Sequence, residues 1–353
     1  MSWQLLPATA LTGHAADWHA LHAAGPASAL LHLDFIAPLL DCFGEGNERL
    51  ALYRDRSGVR VMALLAPRAP GVWATFQPAQ APLGIWLQHP DAALAPLLDS
   101  LVRALPGCAL MLGLTQCDPL LMARPSGQAR LRTLDYIDTA RITLDRPFED
   151  YWQERGKNLR ANLKKQRARL DKEGVATRLE VLHDAAAMAG AVDDYGRLES
   201  SGWKAGAGTA VHGANAQGRF YRAMLEGFAR RGAARVYRYW FDEQLVAMDL
   251  CIEDAEAIVV LKTSYDESAA AGGLSPTLLM REQACRALFG QARLRRIEFY
   301  GKVMEWHLRW TREVRTLYHI NCYRWAPLAH LHAARGARSS RTPDPEQACT
   351  STK

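Results

Sequence analysis

Residues 259–279, VVLKTSYDESAAAGGLSPTLL, carry the densest chemistry of the chain. An apolar strand runs into a loop of small residues (Ala269, Ala270, Ala271, Gly272 and Gly273), and a helix opens at Ser275-Pro276. Serine is a favoured N-cap, and proline is preset for the first helical position. Strand, glycine loop and helix N-terminus together offer backbone N–H groups backed by a helix dipole, which suits an anion such as a pyrophosphate. An ordinary strand-to-helix turn has the same outline. Two carboxylates stand in neighbouring apolar strands, Asp249 in VAMDLCI and Glu298 in RIEFY. Alternation places each opposite an apolar face, where a carboxylate facing a cleft can act as a base directly or through water. The alternative for both is a solvated sheet face or a pairing with arginine. Lys262 can hold a phosphate or a substrate carboxylate, or pair with Asp249 or Glu298. Tyr265 and Tyr300 close strands, where a phenol either protonates a departing thiolate or packs with a wet hydroxyl. Trp203 and Lys204 follow a helix in a Gly/Ala-rich stretch that reads as a mobile loop. Trp203 there either lines an acceptor pocket or anchors a surface turn. His307, in EWHLRW, is open to a catalytic or a structural reading, and no Ser-His-Asp or Cys-His order can be assembled.

The elements that must position these residues follow one order twice. From residue 235 the chain reads strand (235–241), strand (245–253), strand (256–264), glycine loop, helix (276–290), strand (294–301). Val, Ile, Tyr and Phe fill the strands, and polar pairs such as Asp242-Glu243 separate them. Leu278, Leu279, Glu282, Cys285, Arg286, Leu288 and Phe289 make a mostly apolar stripe at helical spacing. The first half repeats this pattern with RLALYR, VRVMALLAP, GVWATF, a loop over 77–90, the helix DAALAPLLDSLVRAL and the strand CALMLGL. Pro96 moves the start of that helix later than its first residues. A repeated order of elements argues for tandem duplication. The first loop is proline-rich with only Gly84, so it makes a poorer anion cradle, and the second half reads as the active one. Between the halves runs a helix with Leu159, Leu163 and Leu170 on one face with Trp152, ended by Gly174. Eight Lys or Arg lie between Arg155 and Lys172. This helix is either a solvated element packed on its leucine stripe or a basic wall that attracts phosphate or nucleic acid.

With 353 residues, 49% hydrophobic, the chain can bury a large core and form two domains. A net charge of +6 favours anionic partners. No apolar run approaches the roughly 20 residues of a membrane span, and the N-terminus lacks a signal-peptide pattern. The seven cysteines are scattered without CxxC or Cys/His spacing, so neither a disulfide framework nor a metal site is expected. The expected compartment is the cytoplasm. The tail over 335–353 is polar and rich in Pro, Ser and Thr, and reads as disordered.

KNLRANLKKQRARL, LESSGWKAGAGTAV, YRYWFDEQLVAMDL, KTSYDESAAAGGLSP and IEFYGKVMEWHLRWT, in that order and spacing, resemble the GNAT superfamily of acyl-CoA acyltransferases. Within it the likeness is to the CelD/BcsL-type acetyltransferases associated with cellulose biosynthesis, which are related to FemABX. Tyr265-Asp266 matches that branch's tyrosine-aspartate pair, while Ser275-Pro276-Thr277 departs from its Ser-Pro-Gly by Thr for Gly. The likeness covers residues 148–325 well and the first half loosely. It implies an α/β chain of mixed sheets, organised as tandem GNAT-like domains that are each a splayed sheet flanked by helices. These would be a degenerate one over 1–145 and an acyltransferase domain over 146–330. It also implies pantetheine between the fourth and fifth strands (257–264 and 294–300), with Tyr265, Gly272, Gly273, Leu274, Ser275, Pro276 and Thr277 beside the acetyl-CoA or longer acyl-CoA. Glu298, Asp249 and Tyr300 would be catalytic, and Trp203, Lys204 and Lys262 would face the acceptor. The acceptor would be an amine or hydroxyl of a sugar, amino acid, or envelope or exopolysaccharide precursor. The FemABX relatives use aminoacyl-tRNA instead, which keeps tRNA open as donor. A non-enzymatic nucleic-acid-binding protein is the remaining alternative, without a visible RNA-reading motif.

Overall fold

A computed structural model describes residues 2–200, 211–270, 273–291 and 293–331. Both halves contribute to one mixed sheet, and the repeated order seen in the sequence reappears as a near mirror within it. The first half supplies β1 (Ser2–Pro7), β2 (Arg49–Asp55), β3 (Gly58–Ala69), β4 (Val72–Thr75), β5 (Trp86–Gln88), β6 (Met111–Cys117) and β7 (Leu131–Thr143). The second supplies β8 (Thr177–Leu182), β9 (Ala234–Phe241), β10 (Gln244–Glu253), β11 (Ala257–Tyr265), β12 (Arg296–Phe299) and β13 (Val314–Tyr323). Their order is β1-β2-β3-β4-β6-β13-β7-β12-β11-β10-β9-β8, with β5 paired to β3. The last strands of the halves are therefore exchanged. Strand β13 lies against β6 of the first half, β7 lies against β12 of the second, and β7 and β13 pair along the middle. Each half thus has its sheet completed by the other.

Helices cover both faces. One face buries α1 (Ala15–Ala24), α2 (Leu33–Phe43), α6 (Ala185–Ser200) and α7 (Ala216–Arg230) around Trp18, Phe35, Tyr195 and Phe228. Opposite the second half's strands lie α4 (Phe148–Gln153), α5 (Lys157–Glu173), α8 (Pro276–Phe289) and α9 (Glu305–Trp310). Helix α3 (Leu94–Ala104) covers the first half with Leu97, Leu98, Leu101 and Val102, and Pro96 falls in its first turn. In α5 the leucine stripe is buried as the spacing requires, while Gly174 adopts a left-handed φ of 72° and ends the helix. No helix among the described residues is long and apolar enough to cross a membrane.

The two halves part company at the same place in the sheet. In the first, β4 and β6 run parallel over three pairs, Val72–Met111 to Ala74–Gly113. In the second, β11 and β12 run parallel over three pairs, Ala257–Arg296 to Val259–Glu298, after which β11 leaves β12 and continues to Tyr265 paired only with β10. The gap beyond the third pair is closed in the first half by its own proline-rich loop. Gly84 donates its N–H to the Thr115 carbonyl at 3.0 Å, and the hydroxyls of Thr75 and Thr115 share a hydrogen bond of 2.7 Å across the gap. Leu83, Ile85 and Trp86 are buried there, β5 pins the loop to β3, and a void of only about 30 Å³ is left. Strand β5 was not legible in the sequence, because three residues between prolines carry no periodicity. A side chain at Gly84 would collide with the Thr75 hydroxyl and the Thr115 carbonyl. Gly84→Ala should therefore destabilise the protein by about 1–3 kcal/mol through overpacking. Urea unfolding midpoints measure this, and an unchanged midpoint would mean that the plug is loose.

Candidate active site

In the second half the same gap is open. Strand β11, the start of α8 and helix α9 enclose a cleft of about 540 Å³, lined by Thr263, Tyr265, Leu274, Ser275, Pro276, Thr277, Arg281, Trp306 and Trp310 among others. Five of the residues expected beside the donor thus line one cleft: Tyr265, Leu274, Ser275, Pro276 and Thr277. Gly273, with φ of 88°, makes the turn that precedes them. Gly272, Trp203 and Lys204 lie outside the described residues. Asp266 fastens the loop, since its carboxylate accepts from the Ser268 N–H at 2.8 Å, the Ser268 hydroxyl at 2.7 Å and Gln244 at 2.8 Å.

Helix α8 begins as the sequence indicates, with Ser275 at the N-cap and Pro276 at the first position, but the Ser275 side chain makes no capping bond. The Ser275 N–H is instead taken by Gln166 Oε1 from α5 at 2.7 Å. Gln166 is a residue that sequence reasoning passed over. Its signal was a polar side chain within the buried stripe of Leu159, Leu163 and Leu170. Its Nε2 is buried without a partner, as are Arg281 Nη1 and Trp310 Nε1. Among the described residues, three buried donors are therefore left unmatched around this one cleft. Buried polar groups are nearly always matched, so such a cluster calls for a ligand rich in hydrogen-bond acceptors.

Asp249 lies on the cleft face of the sheet. Its carboxylate receives Arg281 Nη2 at 2.9 and 3.2 Å and the Thr263 hydroxyl at 2.5 Å. Of the two readings open in the sequence, this is the pairing with arginine rather than a free base. Arg281 is 4% exposed and sits against the rings of Trp306 and Phe299, at 4.7 and 5.2 Å from their centroids. His307 is structural in its contacts. Its Nδ1 accepts the Met304 N–H at 3.0 Å, and burial together with nearby Arg281 lowers its pKa to about 4.

Glu298 and Tyr300 face the other way, toward the first half. Glu298 is 3% exposed and receives Arg315 Nη1 at 2.7 Å. Burial raises its pKa above the ordinary glutamate value, against the pull of Arg315. The same guanidinium forks onto Asp118, with Nε to Oδ1 at 2.9 Å and Nη2 to Oδ2 at 2.7 Å. The Tyr300 hydroxyl donates to Asp118 Oδ2 at 2.7 Å. Burial, and then the charges of Asp118 and Glu298, push the Tyr300 phenol well above its usual range. Asp118 follows β6 of the first half and Arg315 lies on the exchanged strand β13, so the strand exchange itself assembles this cluster. Neither residue had a local signal in the sequence. Lys262 also lies on this face. Its Nζ is 3.9 Å from Glu199 Oε1 and 5.8 Å from the Tyr221 ring centroid, rather than beside Asp249 or Glu298.

Residues 157–308 match the family model described as an acetyltransferase (GNAT) domain. Over that stretch the chain is similar to GNAT acetyltransferase domains, which supports an acyltransferase. Its fold is shared with the C-terminal domain of a protein described as a lysylphosphatidylglycerol synthetase from Agrobacterium fabrum, at 12% identity over 92% of this chain and 96% of that one, with a TM-score of 0.56. FemX is similar at 9% identity over 90% and 98% of the two chains, TM-score 0.55. L-PGS from Bacillus licheniformis is similar at 12% identity over 91% and 96%, TM-score 0.51. At such identities these structures speak for the GNAT-like fold alone. No curated protein matches the sequence.

Proposed function

We propose that this acyltransferase moves an acetyl or longer acyl group from acyl-CoA to an amine or hydroxyl of a small acceptor such as a sugar, an amino acid or an envelope precursor. The observation that carries this reading is the open gap beyond Val259 and Glu298, flanked by a cleft with three unmatched buried donors. GNAT domains generally use acyl-CoA, and an amide-rich arm with a pyrophosphate supplies the acceptors that Gln166, Arg281 and Trp310 lack. On this reading residues 146–330 hold the donor, while residues 1–145 are a half whose own donor gap has been plugged by Leu83–Trp86. The six cysteines among the described residues are free, which fits a compartment that keeps thiols reduced, such as the cytoplasm.

The residues divide the work by face. Tyr265 and Ser275–Thr277 border the donor, and Asp249 holds Arg281 under it. Across the sheet, the Tyr300 proton points at Asp118, so the phenol oxygen turns its lone pairs toward the acceptor. The proton leaving the acceptor passes to that oxygen while the phenol's own proton moves to Asp118 Oδ2. Arg315 and Glu298 absorb the change in charge. Tyr265, at the cleft, is the phenol placed to protonate the departing thiolate.

A second reading, an aminoacyl-tRNA donor, is favoured by one feature. A cavity of about 620 Å³ lined by Arg155, Arg309, Arg312, Asn158 and Asn162 adjoins the cleft and shares Arg309 with it. Thermal unfolding with CoA, acetyl-CoA, longer acyl-CoAs and tRNA, each added alone, separates the two readings. A site filled at 100 times its dissociation constant stabilises by about 2.7 kcal/mol. Stabilisation of that size is expected with CoA. A salt-sensitive shift with tRNA and none with any CoA would replace the main reading by the second.

A further inference from the structure

The cleft accounts for the donor, but a second cavity of about 600 Å³ opens on the opposite face of the same gap. Its walls come from both halves. The second half contributes Val260, Leu261 and Lys262 of β11 beyond its last pair with β12, together with Tyr300, Gly301 and Lys302. The first half contributes the loop from Gln77 to Pro82, with Gln116, Tyr136 and Ile137. That loop is the start of the segment whose continuation plugs the first half's own gap. The sheet separates this cavity from the donor cleft everywhere except where β11 and β12 diverge, since Thr263 lines one and Lys262 lines the other.

The lining is one-sided in charge. It holds two lysines, three glutamines and three tyrosines, and neither Asp nor Glu is among the described residues that form it. Lys262 is anchored near Glu199, which does not line the cavity, and Lys302 is exposed at its rim. A cationic acceptor would meet two like charges and no carboxylate, whereas an anion would meet two ammonium groups and amide donors. We propose that this cavity between the halves is the acceptor site, and that it takes a small amine or alcohol bearing a carboxylate or phosphate, held by Lys262 and Lys302 with its nucleophile at Tyr300. The proposal rests on the donor reading above and deepens it.

The test measures thiol release from acetyl-CoA with matched acceptors: β-alanine against β-alaninamide, glucosamine 6-phosphate against glucosamine, and spermidine. The two pairs distinguish carboxylate from phosphate. Within at least one pair the anionic member should be favoured by about tenfold in kcat/KM, the worth of a hydrogen bond to a charged group. Lys302→Glu should erase that preference, and Ala79→Trp, which fills the loop side of the cavity, should abolish turnover. Both variants should keep the full thermal shift with CoA. Equal rates within both pairs, a preference for spermidine, or an undiminished preference in Lys302→Glu would overturn the proposal. So would a panel in which no anionic member is turned over or stabilises the CoA complex. Loss of the CoA shift in the unmodified protein would instead strike the donor reading, so the two failures are told apart.

Discussion

Arg315→Met should destabilise the protein by about 3–5 kcal/mol at neutral pH and leave a variant that is more stable at pH 5 than at pH 8. One guanidinium holds two carboxylates that are 2% and 3% exposed, Asp118 and Glu298. Methionine matches its length but supplies no charge, so Asp118 loses its guanidinium and Glu298 keeps only Arg296 Nε at 3.4 Å, which favours proton uptake by the buried pair. The sign follows from Glu298. Burial already holds its pKa above the ordinary glutamate value in the presence of Arg315, and removal of the guanidinium raises it further. A folded-state pKa above the unfolded one means stability that is fully present below the unfolded value and is lost as pH rises through the folded one. Unfolding free energy in the variant should thus fall between pH 5 and pH 8. Urea titrations at the two pH values measure it, with Arg315→Lys as a companion that keeps one charge but not the fork. A loss under 1 kcal/mol, or one equal at both pH values, would mean that the cluster is well solvated.

How much of this was legible beforehand divides along one physical line. Everything governed by local periodicity could be read: the duplicated order of elements, the leucine face of α5, the proline start of α8, and the loop that leads into the cleft between β11, α8 and α9. Those features depend on residues a few positions apart, where the side-chain period and the capping chemistry are decisive. The strand exchange could not be read, because β7 and β13 satisfy the same alternation whether they pair within their own half or across it. With it went Asp118 and Arg315, which lie 197 residues apart in sequence and meet only because β13 lies between β6 and β7. Asp249 and Glu298 show the limit from the other side. Each looked like a lone carboxylate with an apolar face behind it. Alternation fixes which face a side chain takes but not what stands there, and the arginines that claim them come from α8 and β13. The poorer cradle of the first half was legible as Pro for Gly, yet the reason for Gly84, a backbone pressed between Thr75 and Thr115, needed the parallel pair β4–β6 in place.

Tyr300→Phe should lower kcat by roughly 10²–10⁴ while leaving the thermal shift with CoA, and the KM for it, near those of the unmodified protein. The phenol bonds the buried carboxylate cluster and also lines the cavity between the halves, where the acceptor is proposed to bind. Removing its oxygen keeps the ring, and so keeps the stacking of Arg315, whose guanidinium carbon lies 5.3 Å from the ring centroid. Asp118 keeps both of its bonds from Arg315, so no buried charge is left bare and the fold should hold. What is lost is the link by which a proton leaving the acceptor reaches Asp118. A residue that merely packed would give the reverse pattern, a lower melting temperature with kcat intact. The pH profile adds a second readout. With the phenol in place the proton path ends on a carboxylate cluster whose Glu298 titrates above the usual glutamate range. The acid limb of kcat should therefore report that cluster and should disappear or flatten in the Phe variant. A kcat within about threefold of the unmodified enzyme, with the acid limb unmoved, would transfer the proton chemistry to another group and leave Tyr300 a wall of the cavity.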